Sequence, residues 1–387
     1  MLDTIVLTLS KNMYQIFEPD RFEPSAKWVL DNNSSMGGRG YIPSKQNPTA
    51  QELRNGIYKP RLTLTNRYNH TGQREATLKI ELSLPKLLFG NNFDELQDND
   101  FDQVVGLLKQ KLNGMGVFFF PHNLINAPIS AVHYSKNIPL TDGTTPRYFI
   151  KKIKDANVPF SLDINQTDYR NEGHSFKWHC NSYEVAFYDK VRDLEMAKKS
   201  DKRAIENDNI IQLNLFNDIK RQKPFEVLRI EVRLNNRQKI GQLFRLLGIN
   251  QEITFKNVFN LNIAKTVLIY YLNEMESKRP KLLNYKGSNP EAFLADLIVN
   301  NPKLGIKKTM QVFGLKIALD TIDTRDIRRM FCNYSQRSWY RLISEANKIE
   351  LPVSNDVFDT LHTELEKFTP LKLVDFQEQL INNDKYN

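Results

Sequence analysis

The sequence predicts an α+β fold. An antiparallel or mixed sheet covered by helices is expected over residues 1–240, and an all-α region over 241–387. Three observations predict it. Apolar and polar residues alternate with period two in six stretches of the first part, as in half-buried strands. After about residue 236 the spacing becomes helical. The 387 residues, 40% of them apolar, suffice for two or three domains with a sizeable core.

In chain order, "DTIVLTLS" (3–10), "YKPRLTLTNR" (58–67) and "ATLKIELSL" (76–84) read as strands. "FDQVVGLLKQKLNGMG" (101–116) reads as a helix, with Val104, Leu107, Leu108 and Leu112 on one face and Gly114 and Gly116 ending it. "PISAVHYSKNI" (128–138), "SYEVAFYD" (182–189) and "EVLRIEVRL" (226–234) are further strands, and a charged helix, "VRDLEMAKKSDKRAIENDN", lies between the last two. "NVFNLNIAKTVLIYYLNEM" (257–275) opens the helical region. Near its end, Ile327, Met330, Phe331 and Tyr334 follow i, i+3, i+4, i+7, and Trp339, Leu342, Ile343 and Ala346 repeat that spacing after a short turn. Thr324 and Ser335 stand where N-caps belong. Over about 324–348 this pattern fits a helix-turn-helix-like element displaying Arg337, Arg341 and Ser344, and equally a helical hairpin in a bundle.

The net charge of +9 and pI near 9.2 favour a polyanionic partner such as nucleic acid without requiring one. Two distant cysteines, Cys180 and Cys332, offer no zinc-type spacing and suit a reducing cytoplasm. Asp3 stands where a secretory leader needs bases, and no run of 18 apolar residues exists, so neither a leader nor a membrane span is expected. Phosphate-loop, nucleophile-elbow and dinucleotide fingerprints are absent. "GGRG" (37–40) reads as a flexible loop or a phosphate nest.

The strands place charge on one face. Glu184, Ala186, Tyr188 and Lys190 alternate with Tyr183, Val185, Phe187 and Asp189. Arg229, Glu231 and Arg233 lie opposite Leu228, Ile230, Val232 and Leu234; Glu81 and His133 stand on comparable faces of their strands. Cross-strand ion pairs on an exposed sheet would explain this pattern. So would a catalytic site. A tyrosine hydroxyl with a pKa near ~10 is a weak nucleophile at neutral pH and needs help with its proton. Carboxylates can hold a divalent metal against a phosphodiester, and cations can hold its free oxygens. Tyr183 and Tyr134 fall on the opposite, apolar faces.

Five segments, "LKIELSLPKLLFGNNF", "ISAVHYSKNI", "EVAFYDKVRDLE", "LRIEVRLNNRQKI" and "RSWYRLISEANKIELP", resemble in this order the gene II/X family of phage and plasmid rolling-circle replication initiators. The resemblance implies a DNA nicking-closing endonuclease that cuts one strand of origin DNA. Its tyrosine, here Tyr188, joins the 5′ phosphate and frees a 3′ hydroxyl. Lys190 would stand near the developing negative charge. The family's acidic positions fall on Glu81 and Glu231, and an aspartate position is His133 here; together these would hold Mg²⁺ or Mn²⁺. Arg229, Arg233, Arg337 and Arg341 would bind DNA. The expected partners are double-stranded origin DNA, single-stranded DNA and a host helicase and polymerase, in the cytoplasm of a bacterial host. A non-catalytic DNA-binding regulator and a tyrosine relaxase or transposase are the alternatives.

Overall fold

A computed structural model describes residues 1–24, 43–68, 74–140, 143–154, 167–199, 205, 208–212, 226–277, 280–285, 289–322, 324–331, 333–352 and 357–373. The strands are β1 (Leu2–Ser10), β2 (Gln15–Ile16), β3 (Glu23–Pro24), β4 (Ser44–Gln46), β5 (Arg61–Tyr68), β6 (Arg74–Ser83), β7 (Val117–Phe118), β8 (Ile129–Leu140), β9 (Thr167–Arg170), β10 (Ser175–His179), β11 (Tyr183–Asp189) and β12 (Glu226–Leu234). Ten form one sheet in the order β3-β4-β5-β6-β1-β8-β12-β11-β10-β9, and β2 pairs with β7. Every neighbouring pair is antiparallel, which settles the expected "antiparallel or mixed" sheet.

Helices of six or more residues are α1 (Leu84–Phe89), α2 (Phe101–Gly114), α3 (Pro146–Lys154), α4 (Lys190–Lys198), α5 (Arg237–Leu246), α6 (Leu261–Glu276), α7 (Pro290–Asn300), α8 (Ile306–Thr321), α9 (Thr324–Met330), α10 (Gln336–Ala346) and α11 (Val357–Lys367). Alternation in the strands divides the sheet into two unlike faces. One carries Ile5, Leu7, Leu78, Ile80, Val132, Tyr134, Val185, Phe187, Ile230 and Val232, all buried in a single core with residues of α2, α3, α5, α6 and α11. In α2 the predicted stripe is buried at Val104, Leu108 and Leu112 and partly at Leu107. Gly116 takes φ +77 after that helix, and a Cβ there would stand 2.8 Å from the Glu18 Cβ, so a side chain is excluded on two counts. Tyr183 and Tyr134 lie in this core, as their strand parity predicts.

The expected boundary near residue 240 falls inside this core. α6 alone commits Ile263, Ala264, Val267, Leu268, Tyr271, Leu272 and Met275 to it. Uncovering them would cost on the order of 10 kcal/mol at ~1.5–3 kcal/mol per large side chain, comparable to the whole stability of a domain. The chain leaves the sheet later. Residues of α7, α8, α9 and α10 share a second core with Leu282 and Tyr285, and α11 then returns to the first. The helical pair predicted at 324–348 is present as α9 and α10, but its first apolar stripe is not internal. Ile327 is buried, whereas Met330, Phe331 and Tyr334 are 66%, 49% and 68% exposed. The second stripe is buried at Trp339, Ile343 and Ala346 and partly at Leu342.

The loop 31–40, with its "GGRG", and most of the charged segment 200–207 lie outside the described residues. No helix among the described residues is long and apolar enough to cross a membrane.

Candidate active site

The other face of the sheet carries the charged residues. Register aligns them in rows across β11, β12 and β8. Glu184, Arg233 and His133 form one row; Ala186, Glu231 and Ser135 the next; Tyr188, Arg229 and Asn137 the third. A tyrosine reaches its diagonal neighbour across an antiparallel pair. The Tyr188 hydroxyl does so, donating to Glu231 Oε2 at 2.9 Å. In β1, three steps from Leu2 to Ile5 face two from Tyr134 to Val132. This bulge turns both Asp3 and Thr4 toward the same side.

A cavity of about 400 Å³ opens over this face. Glu81, His133, Tyr188, Lys190, Glu231 and Arg233 all line it, so six of the nine residues singled out in the sequence meet there. Asp3, Arg61, Lys86, Lys177, Glu184, Asp193 and Asp208 complete its charged wall.

Local structure explains why Tyr188 and Lys190 sit together. Asp189 ends β11 and caps α4, its Oδ1 accepting the Arg192 N–H at 2.8 Å. Its Oδ2 lies 2.9 Å from His174 Nδ1. The strand therefore turns into a helix at one pinned residue, with Tyr188 as its penultimate strand position and Lys190 as the first helical one. That places Asp189 opposite Tyr188, as alternation predicts.

Glu231 is the centre of the arrangement and 1% exposed. Its Oε1 accepts from Arg233 Nε at 2.9 Å, and its Oε2 accepts from Arg233 and Tyr188. Arg229 Nε stands 3.7 Å away. Burial disfavours the carboxylate, but the Arg233 and Arg229 guanidiniums outweigh it and hold Glu231 well below the usual carboxylate range. Burial raises the Tyr188 hydroxyl well above its usual value and Glu231 adds to this, against Arg229. Burial, with Arg233, lowers His133, whose Nδ1 is 3.6 Å from Glu231 Oε1.

Arg229 does not occupy a DNA-facing position, contrary to expectation. It is 1% exposed beneath the cavity, donating to Asp3 Oδ2 at 2.7 Å, Asn137 Oδ1 at 3.1 Å and the Asn92 carbonyl at 3.0 Å. Asp3 Oδ1 also accepts from Ser83 Oγ at 3.0 Å. Arg229 thus ties β1, β8 and β12 together under Glu231. Alternation places it on the right face, but its depth is decided by the segment 91–95 folding over that end of the sheet.

The proposed metal set does not fit as arranged. Among the described residues no group of three or more His, Cys, Asp and Glu side chains converges on one point. Glu81 stands at the rim, 44% exposed and paired with Lys79 at 3.0 Å. Both oxygens of Glu231 already accept from cations or a hydroxyl, and a divalent ion there would face the guanidiniums of Arg229 and Arg233. Those two like charges weaken the hold of this carboxylate on a cation.

Arg337 and Arg341 are exposed on α10, in the second core's helices, and do not line the cavity. Sequence reasoning missed Asp3, Arg61, Lys86 and Asp208 as wall residues. Asp3 carried a signal, as the sole charge in an otherwise apolar and hydroxyl-bearing strand. Lys86, 5% exposed and donating to Asn209 Oδ1 at 3.1 Å, carried a weaker one in "LPKLL". No family model, characterised protein or solved structure matches the chain.

Proposed function

We propose that this chain is a DNA nicking-closing enzyme that initiates rolling-circle replication, with Tyr188 as the nucleophile. The observation that carries the reading is the Tyr188 hydroxyl, held at 2.9 Å by Glu231 on the wall of an open, charged cavity. The hydrogen bond orients the oxygen for attack on a phosphodiester. Arg233 on the same wall and Arg61 on another meet the charge of the phosphate's free oxygens. The covalent phosphotyrosyl bond retains the phosphodiester's energy, so the strand can be rejoined without ATP. Arg337 and Arg341 on α10 would hold duplex DNA while the cavity receives one strand. Glu231 orients the tyrosine in this reading and no step passes through a metal.

One observation favours the non-catalytic DNA-binding alternative. The face is laced with ion pairs, Lys177 to Glu184 at 3.2 Å, Arg233 to Glu184 at 2.9 Å and Lys79 to Glu81 at 3.0 Å, as in a purely structural sheet. The two readings separate in one experiment. Purified protein is mixed with supercoiled plasmid carrying its own replicon, with Mg²⁺, Mn²⁺ or chelator, and then denatured. Nicked circles bearing protein on the 5′ end are expected from the parent and not from Tyr188→Phe. DNA binding by both proteins with no adduct from either would establish the binding-protein reading.

A further inference from the structure

Lys190 is placed against the rules for a lysine. It is 3% exposed, and it occupies the first position of α4, where the helix dipole is positive. Among the described residues its Nζ has neither a hydrogen-bond acceptor nor an ion-pair partner. Its neighbours are two aromatic rings, with the Phe93 centroid at 5.3 Å and the Tyr188 centroid at 5.9 Å. It lines the cavity beside Tyr188. A lysine this largely buried, with no carboxylate on its ammonium, is costly to keep charged, and the inexpensive alternative is to lose the proton.

Resting on the nicking reading above, we propose that Lys190 acts as a neutral amine, the proton acceptor for Tyr188, and not as a fixed cation beside the phosphate. Glu231 touches the hydroxyl but is a poor base, because Arg229 and Arg233 stabilise its ionised form. Lys190 is suited to the task. Burial, then Arg229, lowers it to about 7, against Asp193 of its own helix and Asp3 of β1, while Lys86 of α1 adds to the lowering. A general base works best when its pKa is near the operating pH, and a single water in the cavity can carry the proton between the hydroxyl and the amine. In the step, the Tyr188 oxygen forms a bond to phosphorus as the P–O3′ bond breaks with its electron pair. The phenolic proton goes to the Lys190 amine and thence to solvent, and the leaving 3′ oxygen takes a proton from water. Rejoining reverses this sequence, with the Lys190 ammonium returning the proton to the departing phenolate.

The test follows single-turnover adduct formation on replicon-bearing plasmid across about pH 5.5 to 9, a range that brackets the expected base. The parent rate should rise with pH and level off above about 7. Lys190→Arg puts a fixed cation there that cannot take the proton, and should slow the step about 10²–10⁴-fold. Lys190→Ala should be slow and recover in proportion to added methylamine free base, a rescue that also shows the variant is folded. A Lys190→Arg protein as fast as the parent, or an alanine variant indifferent to methylamine, overturns the proposal. Competitive acetylation of the parent read by mass spectrometry gives an arm independent of nicking: protection of the Lys190 amine by protonation persisting to pH 9–10 would overturn the proposal alone. If the parent forms no adduct at all, the nicking reading falls and takes this inference with it.

Discussion

The cavity wall and the α9–α10 hairpin both present arginines, and they handle charge in opposite ways. At the wall and just beneath it, Glu231 and Arg229 are each 1% exposed and held by named partners across three strands. On the hairpin, Arg337 and Arg341 project into water. Desolvated charge is organised charge: it shifts the pKa of its neighbours and cannot be removed from one side only. Solvated charge is worth little to stability and acts at a distance, through phosphate attraction and its salt dependence. The contrast teaches that the same residue type has two vocations in one chain, chosen by depth.

The most forceful way to break the comparison is Glu231→Gln. It leaves Arg229 buried with one carboxylate fewer, and should cost about 3–5 kcal/mol in urea unfolding. A loss under about 1 kcal/mol, the size for an exposed pair, would mean the wall is as wet as the hairpin. The same residue sharpens the comparison through pH. Its folded pKa is depressed below the ordinary 4.5, so its contribution is fully present above that value and is lost as pH falls below it. The parent should therefore lose stability below about pH 4.5 more steeply than the glutamine variant, measured by thermal melting at stepped pH.

On the hairpin the expected effects are smaller and of another kind. Arg337→Ala and Arg341→Ala should each leave stability within about 0.5 kcal/mol. Each should reduce the slope of log affinity for duplex DNA against log salt by about one. An unchanged slope would remove the hairpin from the DNA-binding surface. The smallest effect is expected for Phe331→Ser. With the ring 49% exposed, unfolding free energy should change by no more than about 0.5 kcal/mol. A loss of several kcal/mol would restore the sequence expectation that this ring is internal.

Much of the sheet was legible because a strand's two faces follow from alternation alone. β12 appears where "EVLRIEVRL" predicts it, and β11 begins one residue later than expected. The short strands β3, β4 and β9 were not legible, since two to four residues carry no period. The exposure of Met330, Phe331 and Tyr334 was not legible either. Helical spacing tells which residues share a stripe, not whether another element covers it.

The sequence by itself determined that Tyr188, Glu231, Arg229 and Arg233 face the side of the sheet opposite its apolar core, because strand parity is a property of the backbone. Only the tertiary structure decided what each does there. Register put the Tyr188 hydroxyl on Glu231 and not on a nearer row. A bulge in β1 brought Asp3 under Arg229. The fold of 91–95 over the sheet end buried Arg229 beneath the cavity and left Lys190 and Arg233 on its lining. Those outcomes depend on contacts between residues as much as 226 positions apart, as in the Arg229 to Asp3 pair. No local period encodes how deeply water reaches a side chain, and depth is what separates a buried support from a surface contact.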